Sequence, residues 1–338
     1  MQNEFKKREI IIDGLNAFVK FYQVNPACNS SGNFTGGVVG FLKFLDQMMD
    51  LCSPHKIYVV WEPAGPSSKR KAIFPEYKAN REKIKGLDET INKKQRDDKL
   101  FQPENKNSQL LWLTEILKTL AICQIYLPNS ECDDIIGYLA KTKLSDKSIQ
   151  KVVVSSDKDF YQLLTNEDII IYDISKKNYV TSKDVKERFN IWPHNFVLAR
   201  TLDGDVSDNI PGVKGVGLKN LIKYIPEFCD EEKELDIAYL VEYCRKKVYD
   251  EKSKLKTYKT IFDNEEVIRR NWKLMYLGLN TLDAMQTTKI NKIVDDFKPK
   301  YDHLSFLKLI RKYEISLNFD INLFASKMKM YLLNNDNS

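Results

Sequence analysis

The chain has 338 residues, 43% of them hydrophobic and 30% charged, a globular balance that excludes wholesale disorder but exceeds what one ordinary core holds. Its 53 Lys and Arg against 47 Asp and Glu leave a net charge of only +6, so a basic surface can arise only by clustering. No apolar run approaches the roughly 18–20 residues of a membrane helix, and Asp13 ends the run Ile10–Ile12 far short of the about 7–15 residues of a signal-peptide core.

The first predicted strand is Glu9–Asp13 (EIIID). A helix over Gly37–Leu51 leads to the second strand, Lys56–Glu62 (KIYVVWE). The stretch Glu82–Ser108 is polar, with Gly86 and Pro103, and reads as a mobile insertion or as charged helices standing clear of the core. Helical patterns over Leu110–Leu120 and Asp133–Lys143 precede the third strand, Lys151–Ser155 (KVVVS). This rhythm predicts an α/β fold with a mostly parallel central sheet flanked by helices. After about residue 182 the β-branched runs fade and helices dominate, as in Leu235–Lys247 and His303–Tyr313. The expected division is therefore an α/β unit over residues 1–181 and a helical unit over 182–338.

Six cysteines without a C-x-x-C pair are expected as reduced thiols, which fits a soluble cytoplasmic protein with no membrane association. Three scattered histidines, His55, His194 and His303, disfavour a histidine-rich zinc site, so metal chemistry must rest on carboxylates and points to magnesium or manganese. Acids stand where an α/β sheet binds its ligand, beyond the carboxyl ends of the strands. Asp13 and Glu62 end two strands, and Asp157 and Asp159 follow the third in SSDKDF. Glu131, Asp133 and Asp134 (ECDD) open one helix, and Asp205 and Asp208 (GDVSDN) are expected to open another. Each alone reads equally as a cap. Nine carboxylates converging on one crevice would raise one another's pKa unless cations neutralised them, and two divalent ions about 3.5–4 Å apart are suited to phosphodiester hydrolysis.

Directly after Glu62, the stretch Lys69–Lys85 carries a net charge of +5. Cations there suit a substrate with phosphates on both sides of the scissile bond. Lys78 and Arg81 fall one turn apart if YKANR is helical, and Phe74 and Tyr77 offer flat faces for an unpaired base. The segment Gly204–Asn220 (GDVSDNIPGVKGVGLKN) is punctuated by Gly212, Gly215 and Gly217, with Lys214 and Lys219 between and beside them. It reads as a phosphate-binding turn at a helix N-terminus or as a plain helical corner.

These motifs together resemble the 5′-nuclease (flap endonuclease) superfamily, in its phage and bacterial 5′→3′ exonuclease branch, from about Ile10 to Asn220. IIIDG holds Asp13, and YVVWE puts Glu62 where the family usually has Asp. Arg70 followed by YKANR matches the family's R…YK..R spacing at Tyr77, Lys78 and Arg81. ECDDIIGYLA matches its E-A-D-D helix with Cys132 in the Ala position, and SSDKDFYQL and GDVSDNIPGVKGVG match closely. The resemblance implies a PIN/resolvase-like nuclease fold that removes RNA primers or flaps near 5′ ends. It implies two Mg²⁺, replaceable by Mn²⁺, on the nine acids, with Arg70, Lys78 and Arg81 as catalytic cations. Tyr77, Gly212, Lys214, Gly215, Gly217 and Lys219 become DNA contacts. A helix–three-turn–helix motif at about 204–224 would grip duplex DNA, with K⁺ on its turn carbonyls, and an arch from about Lys69 to Ser108 would thread or clamp the 5′ strand. Implied partners are branched or nicked DNA, RNA–DNA duplexes, and a single-strand binding protein or sliding clamp; a free-standing, phage-type monomer is expected. Beyond Asn220 the match is confined to N-x-x-L at Asn271–Leu274. Two readings compete with this one: a catalytically silent DNA-binding scaffold, and a haloacid-dehalogenase-like phosphatase suggested by VVVSSDKD.

Overall fold

Runs of Ile and Val, stiff at χ1 and well packed on a pleated surface, dictate the centre of the molecule. The computed structural model describes residues 7–63, 65, 67–80, 103–278 and 281–336. Strands β1 (Lys7–Asp13), β2 (Lys56–Trp61), β3 (Cys123–Tyr126), β4 (Ile149–Val154) and β5 (Ile169–Asp173) are parallel, and β6 (Asn178–Val180) closes one edge antiparallel. The order is β3-β2-β1-β4-β5-β6, so the chain reverses its direction of growth between β1 and β4. Register fixes what meets there. Asp13 lies opposite Val60, and Ile12 lies opposite Val154.

The three expected strands are all present, whereas β3, β5 and β6 were not expected. The helices expected at Gly37–Leu51 and His303–Tyr313 appear as Gly36–Cys52 and His303–Lys312. Residues 132–143 divide into an α-helix, Cys132–Tyr138, and a π-turn, Leu139–Lys143. The helix expected at Leu110 begins earlier, at Pro103, and much of the polar stretch Glu82–Ser108 lies outside the described residues.

Alternation along the strands gives the sheet two apolar faces. Ile11, Val60, Ile125, Val153 and Ile171 pack under the helices of residues 132–144 and 182–297. Ile10, Ile12, Val59, Val152 and Val154 pack under Gly14–Val24, Gly36–Cys52 and Pro103–Leu117. Phe306, Phe324, Met328 and Tyr331 complete that second face. There Tyr331 Oη accepts from the Ile57 amide at 3.1 Å and donates to the Ala121 carbonyl at 3.3 Å. Each of the two clusters draws residues from both sides of residue 181, so both faces of the sheet are covered by helices of the second half of the chain. No helix among the described residues is long and apolar enough to cross a membrane.

Two local expectations are corrected. Asp205 and Asp208 do not open a helix; they shape the turn of a two-stranded ribbon, β7 (Gly204–Asp205) and β8 (Ile210–Pro211), after the helix Pro193–Asp203. Tyr77–Ala79 is a turn with Lys78 in the left-handed region at φ 59°, so YKANR is not helical there, and Arg81 lies outside the described residues.

Candidate active site

Strand β1 passes straight into the helix Gly14–Val24, with Asp13 as its cap: Asp13 Oδ1 accepts from the Asn16 amide at 3.0 Å. The direct passage needs glycine next, because a Cβ on Gly14 would stand 2.7 Å from Trp61 Cε3 and 2.9 Å from Val59 Cγ1. Asp13 Oδ2 accepts from Ser155 Oγ at 3.3 Å, and Cys132 Sγ lies 3.8 Å from Oδ1. Just past β2, Glu62 Oε2 accepts from the Cys132 amide at 2.7 Å, using its extra methylene to reach a helix N-terminus. Past β4, Asp157 caps a short 3-10 turn by accepting from the Asp159 amide at 2.9 Å. The capping reading and the functional reading thus fall on the same side chains. Asp13, Glu62, Asp133 and Asp157 line one open cavity of about 450 Å³, with Lys78 and Cys132 in its wall.

This crowding has an electrostatic signature. Burial, and then Asp157 and Glu62, push Asp13 up to about 7. Burial, and then Asp157 and Asp13, hold Asp133 well above the usual carboxylate range. Asp159 is pushed up to about 7 by burial and then by Asp157, with Arg200 opposing. Asp157 rises through desolvation by the crevice walls and through Asp208 and Asp205. Each charge here discourages the next.

Two cations of the basic stretch enter this array in different ways. Lys78 Nζ donates to Glu131 Oε2 at 2.7 Å and stands 3.9 Å from Asp208 Oδ2. Its amide donates to the Asp208 carbonyl at 2.8 Å, tying the turn to the ribbon. Tyr77 is 2% exposed, and its hydroxyl lies 3.1 Å from both Glu131 Oε2 and Asp208 Oδ2. Its ring is therefore closed to a stacking base; it joins two acids instead. The ring of Phe74 lies under Arg270, 4.4 Å from the guanidinium carbon to the ring centroid. Although burial alone would raise it, Glu131 is held below its usual range by Arg70 and Lys78. Its Oε1 is buried with no partner among the described residues.

Arg70 departs from its expected role. It is buried, donates to both oxygens of Asp134 at 2.9 and 2.8 Å, and donates through Nε to the Leu274 carbonyl at 2.8 Å. It reaches Glu131 at 3.2 Å but not the cavity wall. Asp134 is thereby removed from the nine acids, since its carboxylate is consumed by the pair. Arg70 fixes the helix Glu265–Met275 beneath the site rather than facing a substrate.

The glycine turn lies apart from the cavity. Asp203 Oδ1 accepts from the Leu218 amide at 3.2 Å at the start of the helix Leu218–Tyr224, where Gly217 is the cap residue. A Cβ on Gly212 would fall 2.3 Å from the Asp203 carbonyl, so this glycine permits a close backbone approach. Lys214, Gly215 and Lys219 are exposed, and Gly215 has φ 80°. Arg200 escaped the sequence reading, and Asn271 entered it only as the first residue of N-x-x-L, with no role. Arg200 donates to Asp205 at 2.6 Å and to Asp159 at 3.3 Å. Asn271, wholly buried, donates to the carbonyls of Thr201 and Pro211, both at 2.9 Å. A lone Arg inside the otherwise apolar run VLARTL, five residues before Asp205, was the available signal for the first.

The model of the 5′-3′ exonuclease N-terminal resolvase-like domain matches residues 8–190. The chain is 32% identical over 235 residues to the DNA polymerase I of Bacillus subtilis, covering 68% of this chain but only 24% of that protein. It is 31% identical over 224 residues to the 5′-3′ exonuclease of Buchnera aphidicola from Schizaphis graminum, covering 66% of this chain and 71% of that one. In three dimensions it resembles the bacteriophage T5 D15 flap endonuclease in a complex with DNA and metal ions, at a TM-score of 0.62 and 20% identity, covering 98% of this chain and 100% of that chain. That likeness establishes the common fold, a parallel sheet with helices on both faces.

Proposed function

The chain belongs to the 5′-3′ exonuclease family, and from that membership we propose that it is a metal-dependent, structure-specific 5′ nuclease. Its proposed substrates are branched or nicked DNA and RNA–DNA duplexes, cut near their 5′ ends, with removal of primers or flaps in replication as the role. The observation that carries this reading is the cavity where Asp13, Glu62, Asp133 and Asp157 arrive from four chain segments at the switch point of the sheet.

The donor set fits divalent ions. Hard oxygens dominate it, Asp13 and Asp133 are raised by burial and then by neighbouring carboxylates, and Glu131 Oε1 is buried without a hydrogen bond within 3.5 Å from the described residues. Among the described residues no three His, Cys, Asp or Glu side chains form a cage of their own. Magnesium needs no such cage, because it keeps several waters and takes one or two carboxylates plus substrate phosphate. Asp13, Asp133 and Asp157 would hold such ions on one side, and Asp159 and Asp208 on the other. When bound, ions of this class lower the pKa of water and stabilise a phosphodiester's leaving oxygen.

The chain's own groups supply orientation and charge. Lys78, partly drawn back by Glu131, stands in the cavity wall and is placed to meet a phosphate that enters. Exposed Lys214, Gly215 and Lys219 are proposed to grip the duplex arm, with K⁺ on the turn carbonyls, as the resemblance implies. A silent scaffold would not need this crowding of acids, and the chain lacks the further Lys and Thr motifs expected of a dehalogenase-like phosphatase. The closing experiment incubates end-labelled flap, nicked and RNA-primed duplexes with and without Mg²⁺ and sizes the products. Mg²⁺-dependent cuts near the 5′ end are expected; intact substrates in every lane would refute the assignment.

A further inference from the structure

The acidic array is neutralised unevenly. Beside Asp13, Glu62, Asp133 and Asp157 the cavity wall carries Lys20 and Lys78, and the hydrogen bond of Lys78 goes to Glu131 rather than to those four. Beside Asp159 and Asp205 the situation differs. The helix Pro193–Asp203 delivers Arg200, whose side chain is 13% exposed, between these two acids. Nη2 lies 2.6 Å from Asp205 Oδ2 and 3.3 Å from Asp159 Oδ1, and Nη1 donates to the Gly204 carbonyl at 2.9 Å. Asp205 has little left to offer. Its Oδ1 already accepts from the Ser207 amide at 2.8 Å and the Ser207 hydroxyl at 2.6 Å. A guanidinium is always charged and presents its donors in a fixed plane, so it bridges two carboxylates much as an ion would, with one charge in place of two.

We propose that Arg200 is the resident counter-cation of the Asp159–Asp205 half and a positioning residue for divalent ions. The first ion enters the Asp13–Asp133–Asp157 half. The second enters beside Asp159 only as Arg200 gives up its carboxylates. This inference rests on the metal-dependent nuclease reading and deepens it. Because two steps must occur for the second ion and one for the first, the two ions bind with unequal affinity, and Arg200 sets the difference.

The test counts bound Mn²⁺ by the electron paramagnetic resonance signal of the free ion during titration of the full chain, with no DNA present. Wild type should show two classes, the second at least about tenfold weaker than the first. Arg200→Gln should tighten the second class at least about tenfold and leave the first within about twofold; Arg200→Lys, which keeps the charge, should stay near wild type. A purely structural arginine would give the opposite result, loosening the second class in Arg200→Gln, and that would overturn the inference. Two equal classes in wild type would also overturn it, while leaving the nuclease reading intact, and this arm decides even if Arg200→Gln fails to fold. No Mn²⁺ binding in wild type would sink the metal-dependent reading and this inference with it.

Discussion

Truncating Arg70 would separate service to the fold from service to the chemistry. Its side chain is 8% exposed, that of Asp134 7%, and two hydrogen bonds of 2.9 and 2.8 Å join them. Arg70→Ala would leave the Asp134 carboxylate buried without its cation and the Leu274 carbonyl without its 2.8 Å donor. Removing one partner of a buried pair costs about 3–5 kcal/mol, and an unsatisfied buried acceptor about 1–3 kcal/mol. Against a total stability of about 5–15 kcal/mol, a loss of about 4 kcal/mol or more is expected in urea unfolding followed by tryptophan fluorescence. Arg70→Met combined with Asp134→Leu, which removes both charges and keeps the volume, should recover much of that loss. Single-turnover cleavage by the double variant, measured where it is folded, should stay within about tenfold of wild type. The reasoning fails if Arg70→Ala unfolds within about 1 kcal/mol of wild type yet loses cleavage, since that would put the guanidinium on the substrate.

Lys78→Ala should lower single-turnover cleavage at saturating enzyme by at least about tenfold, about 1.4 kcal/mol of barrier; complete rescue by added enzyme would reduce its role to capture. Asp13→Asn and Asp157→Asn should each slow cleavage by several orders of magnitude while flap binding, followed by gel shift, stays nearly unchanged, and wild-type rates in either would remove that residue from the ion site. Asp13 and Asp159, both pushed up to about 7 from an ordinary 3.8, hold protons in the native state that the unfolded chain releases near pH 4. Their contribution to metal-free stability therefore falls as pH rises from about 4 to 7, so Mg²⁺ should raise the melting temperature more at pH 8 than at pH 6; equal shifts would contradict this. Gly212→Ala drives a Cβ to 2.3 Å from the Asp203 carbonyl, whereas Gly215→Ala meets nothing within 4 Å and costs only the left-handed strain of about 1–2 kcal/mol. Thermal melts should rank Gly212→Ala well below Gly215→Ala, and the reverse order would refute the close-approach role.

What could be read from the residues followed from local physics. EIIID, KIYVVWE and KVVVS are strands because β-branched runs have few other uses, and the acids that end them must lie at the carboxyl edge of a parallel sheet. CQIY escaped because four residues are too few to carry a usable period; β3 exists because Tyr58–Trp61 offers it a ladder. The pairing of Arg70 with Asp134 was invisible for another reason. Spacing placed both near the crevice, but only the packing of Glu265–Met275, which supplies the Leu274 carbonyl, decides that they face away from it. Tyr77 was read as a surface aromatic because it sits among charges, yet those charges are the partners that bury its hydroxyl. Arg200 was signalled only by its place in VLARTL shortly before Asp205; that the ribbon folds back over it depends on tertiary packing.

The second face of the sheet is sealed by Phe306, Phe324, Met328 and Tyr331, side chains far along the chain from the strands they cover. On a ribosome, all six strands have emerged by Val180, about 150 residues before Tyr331. At about 5–20 residues per second, that face waits roughly 8–30 s for its last cover. Throughout that interval Ile10, Ile12 and Val152 have only part of their final shelter, although the acids at the strand ends can already be drawn together. The nascent sheet is then at its most adhesive, and the slow partner in its maturation is the segment from Phe306 to Tyr331.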